Sequence, residues 1–253
     1  MAPPSKLLPD LVAIADRAAE VIMKIYAGEV AVSTKADSSP VTAADEAGEE
    51  VIVAALRRLT PDIPIVAEES AARGELPKAC PMFWLVDPLD GTKEFISKNG
   101  EFTVNIGLVE HGEPVMGVVL APARGLGWWG CAGEGAHRRD EHGKVAPIAV
   151  RARPAAGAVA VASRSHRDVA TDNWLEQQGI TETVSAGSSL KFCLVAEGRA
   201  DAYPRFGPTM EWDTAAGHAV LRAAGGSVHA VSGEPLTYGK PAFRNPGFIA
   251  VGR

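Results

Sequence analysis

Acidic residues in this chain gather at the ends of apolar runs. Ile65-Val66-Ala67 leads into Glu68 and Glu69, and Phe83-Trp84-Leu85-Val86 into Asp87-Pro88-Leu89-Asp90-Gly91-Thr92. A third group, Glu211-Trp212-Asp213, opens a later helical pattern. Hard divalent cations prefer oxygen ligands, and Mg2+ in particular keeps several waters while taking a few carboxylates and phosphate oxygens. Carboxylates delivered to strand ends therefore point to metal-assisted chemistry on a phosphate. In a straight strand Asp87 and Asp90 face opposite sides, because an odd spacing reverses the side chain. Pro88 changes this: it fixes its own φ and drives Asp87 out of the helical region. The chain is therefore expected to turn here and to bring both carboxylates, with the Leu89 carbonyl, toward one ion. Gly91 and Thr92 then begin a short helix whose first N–H groups are expected to face a phosphate.

Taken singly, each motif has a plainer reading. D-P-L-D-G alone reads as a surface turn, Glu68-Glu69 as solvated strand-end acids and Asp213 as a helix N-cap. Their co-occurrence, each beside an apolar element, favours a site.

The elements that must position them follow from hydrophobic periodicity. Leu11, Ile14, Ala15, Ala18, Val21, Ile22 and Ile25 recur at helical spacing, which predicts a helix over 10–27 with Asp10 as N-cap and Gly28 as terminator. A hairpin or loop is expected over 30–41, and a second helix from Thr42 to Leu59 before Pro61. Apolar runs at 65–67, 83–86, 102–109 and 115–120 predict core strands, with a turn at 110–113 and a further strand at 128–131. A polar, Gly-bearing connection is expected near 133–146. Beyond it the pattern alternates: strand 159–162, helix 167–178, helix 187–197, strand 200–204, helix 213–224 and short final strands. That order predicts an α/β second half. The expected division is an N-terminal α+β metal-binding half, 1–150, and a C-terminal α/β half, 151–253, carrying the substrate-specificity elements and the last metal ligand.

Composition agrees with a globular enzyme. The 253 residues are 46% hydrophobic and 22% charged, and 26 Gly and 18 Pro imply many tight turns. A net charge of -6 argues against capture of a nucleic acid polymer, which needs many Lys and Arg on phosphates. Cys80, Cys131 and Cys193 are far apart with no C-x-x-C, so neither a zinc site nor a disulfide framework is indicated. The N-terminal residues lack the pattern of a signal peptide and no run suits an integral membrane segment. A cytoplasmic location is expected, with peripheral membrane association left open.

Val-Ala-Glu-Glu-Ser, Trp-Leu-Val-Asp-Pro-Leu-Asp-Gly-Thr and Trp-Asp-Thr-Ala-Ala-Gly together resemble the inositol monophosphatase superfamily of Mg2+-dependent, lithium-sensitive phosphatases. Within it, Lys35 to Asp45, Gly91-Thr-Lys-Glu-Phe-Ile, Asn99-Gly-Glu-Phe-Thr-Val-Asn105 and Gly187 to Cys193 are similar to the bacterial CysQ-type 3'(2'),5'-bisphosphate nucleotidases. The likeness runs from about residue 10 to the C-terminus. It implies a five-layered α-β-α-β-α sandwich of the inositol monophosphatase/fructose-1,6-bisphosphatase type. It also implies two or three Mg2+ ions on Glu68, Asp87, Asp90, Asp213 and the Leu89 carbonyl, and a water-activating pair of Thr92 and Asp45. Glu69 is left between water positioning and a structural role. The expected reaction is in-line attack of water on a phosphoryl group, with no protein nucleophile.

The substrate side should lie in the second half, where a nucleotide needs basic and hydrogen-bonding groups. Ser163-Arg164-Ser165-His166-Arg167 ends an apolar strand, so His166 is a candidate to stack on or bond a base. By the same resemblance Ser188, Lys191 and Arg205 are substrate-binding candidates, with Gly91, Thr92 and Asp213 at the scissile phosphate. The competing readings are solvated surface charges for Arg164, Arg167 and Arg205, and helix capping for Ser188 or Ser189. His137, His142 and His218 form no ligand set, and the absence of G-x-S-x-G weakens a serine mechanism.

The resemblance implies hydrolysis of the 3'-phosphate of 3'-phosphoadenosine 5'-phosphate to AMP, with the related phosphosulfate as a further substrate, in sulfur assimilation. Two alternatives stand beside it: an inositol-1-phosphate or fructose-1,6-bisphosphate phosphatase, and a non-catalytic nucleotide- or metal-sensing protein. The expected partner is a small phosphate ester, and the expected state a monomer or homodimer.

Overall fold

The structure is a computed structural model of the chain, and it describes residues 4–28, 32–34, 40–77, 80–163 and 168–253. In chain order, α1 (Leu8–Tyr26) is followed by the antiparallel pair β1 (Val32–Thr34) and β2 (Pro40–Thr42), then α2 (Ala43–Leu59). Next come β3 (Ile65–Ala67), α3 (Glu68–Ala72), β4 (Met82–Asp90), α4 (Thr92–Ile96), β5 (Thr103–Glu110) and β6 (Glu113–Ala121). β7 (Leu126–Cys131), β8 (Gly135–Arg139) and β9 (Val145–Ile148) complete the first sheet, of seven strands in the order β3-β4-β5-β6-β7-β8-β9. The chain continues through β10 (Val159–Ser163), α5 (Val169–Gln177), β11 (Glu182–Ala186), α6 (Leu190–Ala196), β12 (Ala202–Arg205) and β13 (Thr209–Met210). It ends with α7 (Ala215–Ala223), β14 (Ser227–Ala230), β15 (Arg244–Asn245) and β16 (Phe248–Val251). The second sheet has five strands in the order β11-β10-β12-β16-β14, and β13 pairs with β15 apart from it.

Three apolar clusters account for the layering. The first packs Leu11, Ile22, Ile52 and Leu56 of α1 and α2 on one face of the seven-stranded sheet, against Trp84, Val86, Ile106 and Leu108. The second joins the other face, through Phe83, Leu85 and Val109, to Phe192 of α6, Val220 of α7, and Tyr203 and Phe248 of the second sheet. The third seals Leu175 of α5 and Ile180 onto Ala158 and Ala160 beyond that sheet. The result is the expected α-β-α-β-α sandwich, with α6 and α7 as the shared middle layer. Two glycines set how closely α7 approaches the first sheet. A methyl group at Gly117 would stand 2.4 Å from the Ala216 carbonyl oxygen, and one at Gly107 2.9 Å from the Ala216 nitrogen.

Several sequence expectations are corrected. α1 starts before Asp10: Leu7 is the N-cap and Pro9 lies in the first turn, where its missing N–H costs nothing. The polar connection at 133–146 contains β8 and reaches the start of β9, and β11 pairs in parallel with β10. β9 and β11 are largely exposed and β8 is mostly half-buried, so hydrophobic alternation is missing and pairing with a neighbour defines all three.

Candidate active site

β4 does not end at Val86 but continues to Asp90, and the expected turn is a β-bulge inside it. Asp87 pairs with Asn105 and Asp90 with Thr103, so three steps on β4 oppose two on β5. The extra residue cancels the parity difference and returns Asp90 to the face of Asp87. Leu89, on the other side, is buried in the α1/α2 core and anchors the bulge. Its N–H donates to Asp87 Oδ1 (3.0 Å).

α2 supplies the next layer. Thr42 caps it: the Thr42 N–H and hydroxyl donate to Asp45 Oδ2 at 2.8 and 2.7 Å. Asp45, 1% exposed, is thereby held with its other oxygen, Oδ1, accepting from Thr92 Oγ1 at 3.1 Å. One helical turn on, buried Glu49 accepts from the N–H groups of Glu69 (2.7 Å) and Ser70 (2.8 Å). Those are early N–H groups of α3, the helix that begins with Glu68, so one face of α2 positions both Thr92 and the Glu68-Glu69 segment. Glu69 itself is buried, consistent with a structural part as well as a polar one. Glu49 went unnoticed in the sequence, although its spacing from Asp45 places both acids on one helix face.

The second half closes on the same turn through residues 187–191. Gly91 adopts the left-handed conformation (φ 94°), and a methyl group there would lie 2.3 Å from Ser188 Oγ. The Ser188 hydroxyl lies 2.8 Å from the Asp90 carbonyl and 2.7 Å from that of Glu101, so it ties the halves together. The Ser189 hydroxyl lies 3.2 Å from Asp90 Oδ2 and 2.9 Å from the Asp213 carbonyl, either of which can accept its one hydrogen. Asp213 Oδ2 in turn accepts from the Met210 N–H (2.8 Å), and α7 takes Thr214, not Asp213, as its N-cap. Glu101, seen in the sequence only as part of the motif at 99–105, accepts from the Gly187 N–H (2.8 Å) and pairs with Arg124 (2.8 Å). Its partner glycine is 86 positions away.

A cleft of about 290 Å³ results, lined among others by Asp90, Gly91, Thr92, Ser188, Lys191, Arg205 and Asp213. Glu94, Tyr203, Thr209 and Thr214 also line it. Lys191 is buried, donates to the Ser188 carbonyl (2.6 Å) and has its pKa pulled down to about 8, chiefly by burial. Arg205 donates to the Pro208 carbonyl (3.3 Å), and its buried Nε has no hydrogen-bond partner among the described residues. His166, Arg164 and Arg167 lie outside the described residues. His218 is buried beside the Tyr238 hydroxyl (3.0 Å) and held neutral, with a pKa lowered to about 3 by burial.

The carboxylates strain against one another. Burial, followed by repulsion from Glu68, Asp90 and Asp213, raises Asp87 well above the usual carboxylate range, and Asp87 shares a hydrogen bond with Glu68. Burial and Asp90 do the same to Asp213. Asp90 is pushed up to about 6 by burial, against the pull of Lys191 and Ser189. Repelling, partly dehydrated carboxylates with only hard oxygen donors fit a hard divalent cation, whose charge removes the repulsion. Among the described residues no three His, Cys or carboxylate side chains already close on one point. A cation here would therefore complete its shell with water and phosphate oxygens, which is the habit of Mg2+.

Comparison with known proteins gives the class. The chain belongs to the inositol monophosphatase family, whose model matches residues 4–247. It is 51% identical over 246 residues to the 3'(2'),5'-bisphosphate nucleotidase CysQ of Escherichia coli K12, covering 96% of this chain and 98% of that one. Among solved structures it resembles CysQ from Bacteroides thetaiotaomicron, with a TM-score of 0.80, 40% identity and 95% of each chain covered. It also resembles an inositol monophosphatase from Anabaena, with a TM-score of 0.77, 30% identity, and 98% and 90% covered. Among the described residues no helix is long and apolar enough to cross a membrane.

Proposed function

We propose that this chain is a Mg2+-dependent 3'(2'),5'-bisphosphate nucleotidase that converts 3'-phosphoadenosine 5'-phosphate to AMP and phosphate, acts also on the related phosphosulfate, and serves sulfur assimilation in the cytoplasm. The observation that carries the reading is one cleft lined by both acidic and basic side chains. Asp90, Asp213 and Thr92, the last bonded to Asp45, line it together with Lys191 and Arg205, and Lys191 acts electrostatically on Asp90. A substrate with two phosphates, one to be cut and one to be held, fits that arrangement. The name and near full-length match of the Escherichia coli relative support it.

Glu68, Asp87, Asp90, Asp213 and the Leu89 carbonyl are the residues that would hold Mg2+. When bound, Mg2+ supplies charge that offsets the phosphoryl oxygens and makes water more acidic. The Thr92 hydroxyl donates its hydrogen bond to Asp45 Oδ1, the carboxylate oxygen that Thr42 leaves open. The lone pairs of Thr92 Oγ1 are thus left to accept from a water, which turns that water's own lone pair toward the phosphorus. Lys191 and Arg205 balance the second phosphate. Ser188 acts by closing the cleft, since its hydroxyl is engaged with two backbone carbonyls.

The test is the regiochemistry of the product. Incubation of adenosine 3',5'-bisphosphate with protein and Mg2+, followed by chromatography, should give 5'-AMP and phosphate, and a chelator should stop release. Formation of 3'-AMP, or release unaffected by the chelator, would refute the assignment.

A further inference from the structure

Three buried polar atoms on β5 lack any hydrogen-bond partner among the described residues: Thr103 Oγ1 and both Nδ2 and Oδ1 of Asn105. Both residues are 0% exposed. Leaving a buried amide or hydroxyl unsatisfied costs about 1–3 kcal/mol per group, and such groups in native proteins call for an explanation. Elsewhere on β5 the interior positions are apolar or glycine: Val104, Ile106, Gly107, Leu108 and Val109.

Their place in the sheet supplies one. Val104, Ile106 and Leu108 join the α1/α2 core, whereas Val109 faces the α7 side and Gly107 lies against Ala215 and Ala216. By strand alternation Thr103 and Asn105 share that α7-facing side, nearer the start of α7. Asp87 is the cross-strand neighbour of Asn105, and Asp90 of Thr103. The orphan atoms therefore stand directly beside the two carboxylates that the bulge turns to one face. Asp87 Oδ1 is already engaged with Leu89, and Asn105 makes no hydrogen bond to either oxygen. Buried polar groups of this kind are commonly bridged by an ordered water, which makes about three hydrogen bonds.

We propose that Asn105, with Thr103, is a positioning residue of the metal centre: the pair holds a buried water that fixes the carboxylate of Asp87 for the cation. The inference rests on the metal-centre reading above. It explains why the sequence keeps a costly amide at a core strand position.

The test is Asn105→Leu, which keeps the branched shape and the number of side-chain heavy atoms and removes the polar atoms, with two readouts on the metal-free protein. One is the melting temperature; the other is the Mg2+ dissociation constant by titration calorimetry. A positioning role predicts an unchanged or higher melting temperature together with Mg2+ binding about 10- to 100-fold weaker. An amide that only fills space predicts Mg2+ affinity within about 2-fold of wild type, the usual scatter for a neutral change, and that result overturns the proposal. Should the Leu variant not fold, Asn105→Ser is measured in the same way, and unchanged affinity there overturns it equally. Failure of the wild type to bind Mg2+ would instead defeat the metal-centre reading, so the two failures are distinguishable.

Discussion

Replacing Asp90 with Asn should make the metal-free protein more stable while abolishing turnover. Asp90 is held at about 6 against an ordinary 3.8, mainly by burial. A folded-state pKa raised above the unfolded one means that the native protein binds the proton more tightly. Stability is then highest below about pH 4 and falls as pH rises toward 6. For Asp90 the loss at neutral pH is about 3 kcal/mol. Asn carries no charge, keeps an oxygen for Ser189, and escapes that cost. In a chain of this size 1 kcal/mol moves the melting temperature by about 2–4 °C, so the gain at pH 7.5 in chelator should reach several degrees, with about 10 °C as a ceiling. At pH 4 the wild-type carboxyl is largely protonated and the difference should shrink. Saturating Mg2+ should reverse the order, because the wild type gains binding free energy that the variant lacks. Differential scanning calorimetry at the two pH values, with and without Mg2+, makes the comparison. A variant that melts at or below the wild type at pH 7.5 in chelator would refute the view of a self-repelling carboxylate group awaiting a cation.

Two other substitutions separate orientation from architecture. Thr92→Val removes the hydroxyl that accepts from the water and should lower kcat about 10²- to 10⁴-fold with little change in KM or melting temperature; a loss confined to KM would contradict the assigned role. Glu49→Ala leaves the Glu69 and Ser70 N–H groups without their carboxylate acceptor. It should destabilise the fold by about 2–3 kcal/mol in denaturant titration and weaken Mg2+ binding through displacement of Glu68; an unchanged unfolding midpoint would count against α2 as the support of α3.

Much of the site was legible because its residues follow local rules. Thr42 and Asp45 bracket a helix start, and Pro88 marks the place where the strand departs from simple alternation. The sequence alone suggested a turn there, whereas the paired register of Asp87 and Asp90 required the partner strand to be seen as a bulge. The strands β8, β9 and β11 carry little apolar alternation, and only neighbouring strands define them. The contacts from Glu101 to Gly187 and from Ser188 to Asp90 span 86 and 98 positions, and no local pattern encodes them. Asn105 was visible only as part of a family-like motif. Its oddity, a fully buried amide beside Asp87, is a property of the folded sheet.

The central claim is that the acidic and basic side chains lining this cleft together serve a nucleoside bisphosphate. It is tested most directly by kcat/KM for phosphate release from adenosine 3',5'-bisphosphate, inositol-1-phosphate and fructose-1,6-bisphosphate, side by side with and without Mg2+ and Li+. The account predicts Mg2+-dependent, Li+-inhibited release that is fastest from the nucleotide. Equal or better turnover of either sugar phosphate would contradict the substrate assignment, and no release from any of the three would contradict the catalytic one.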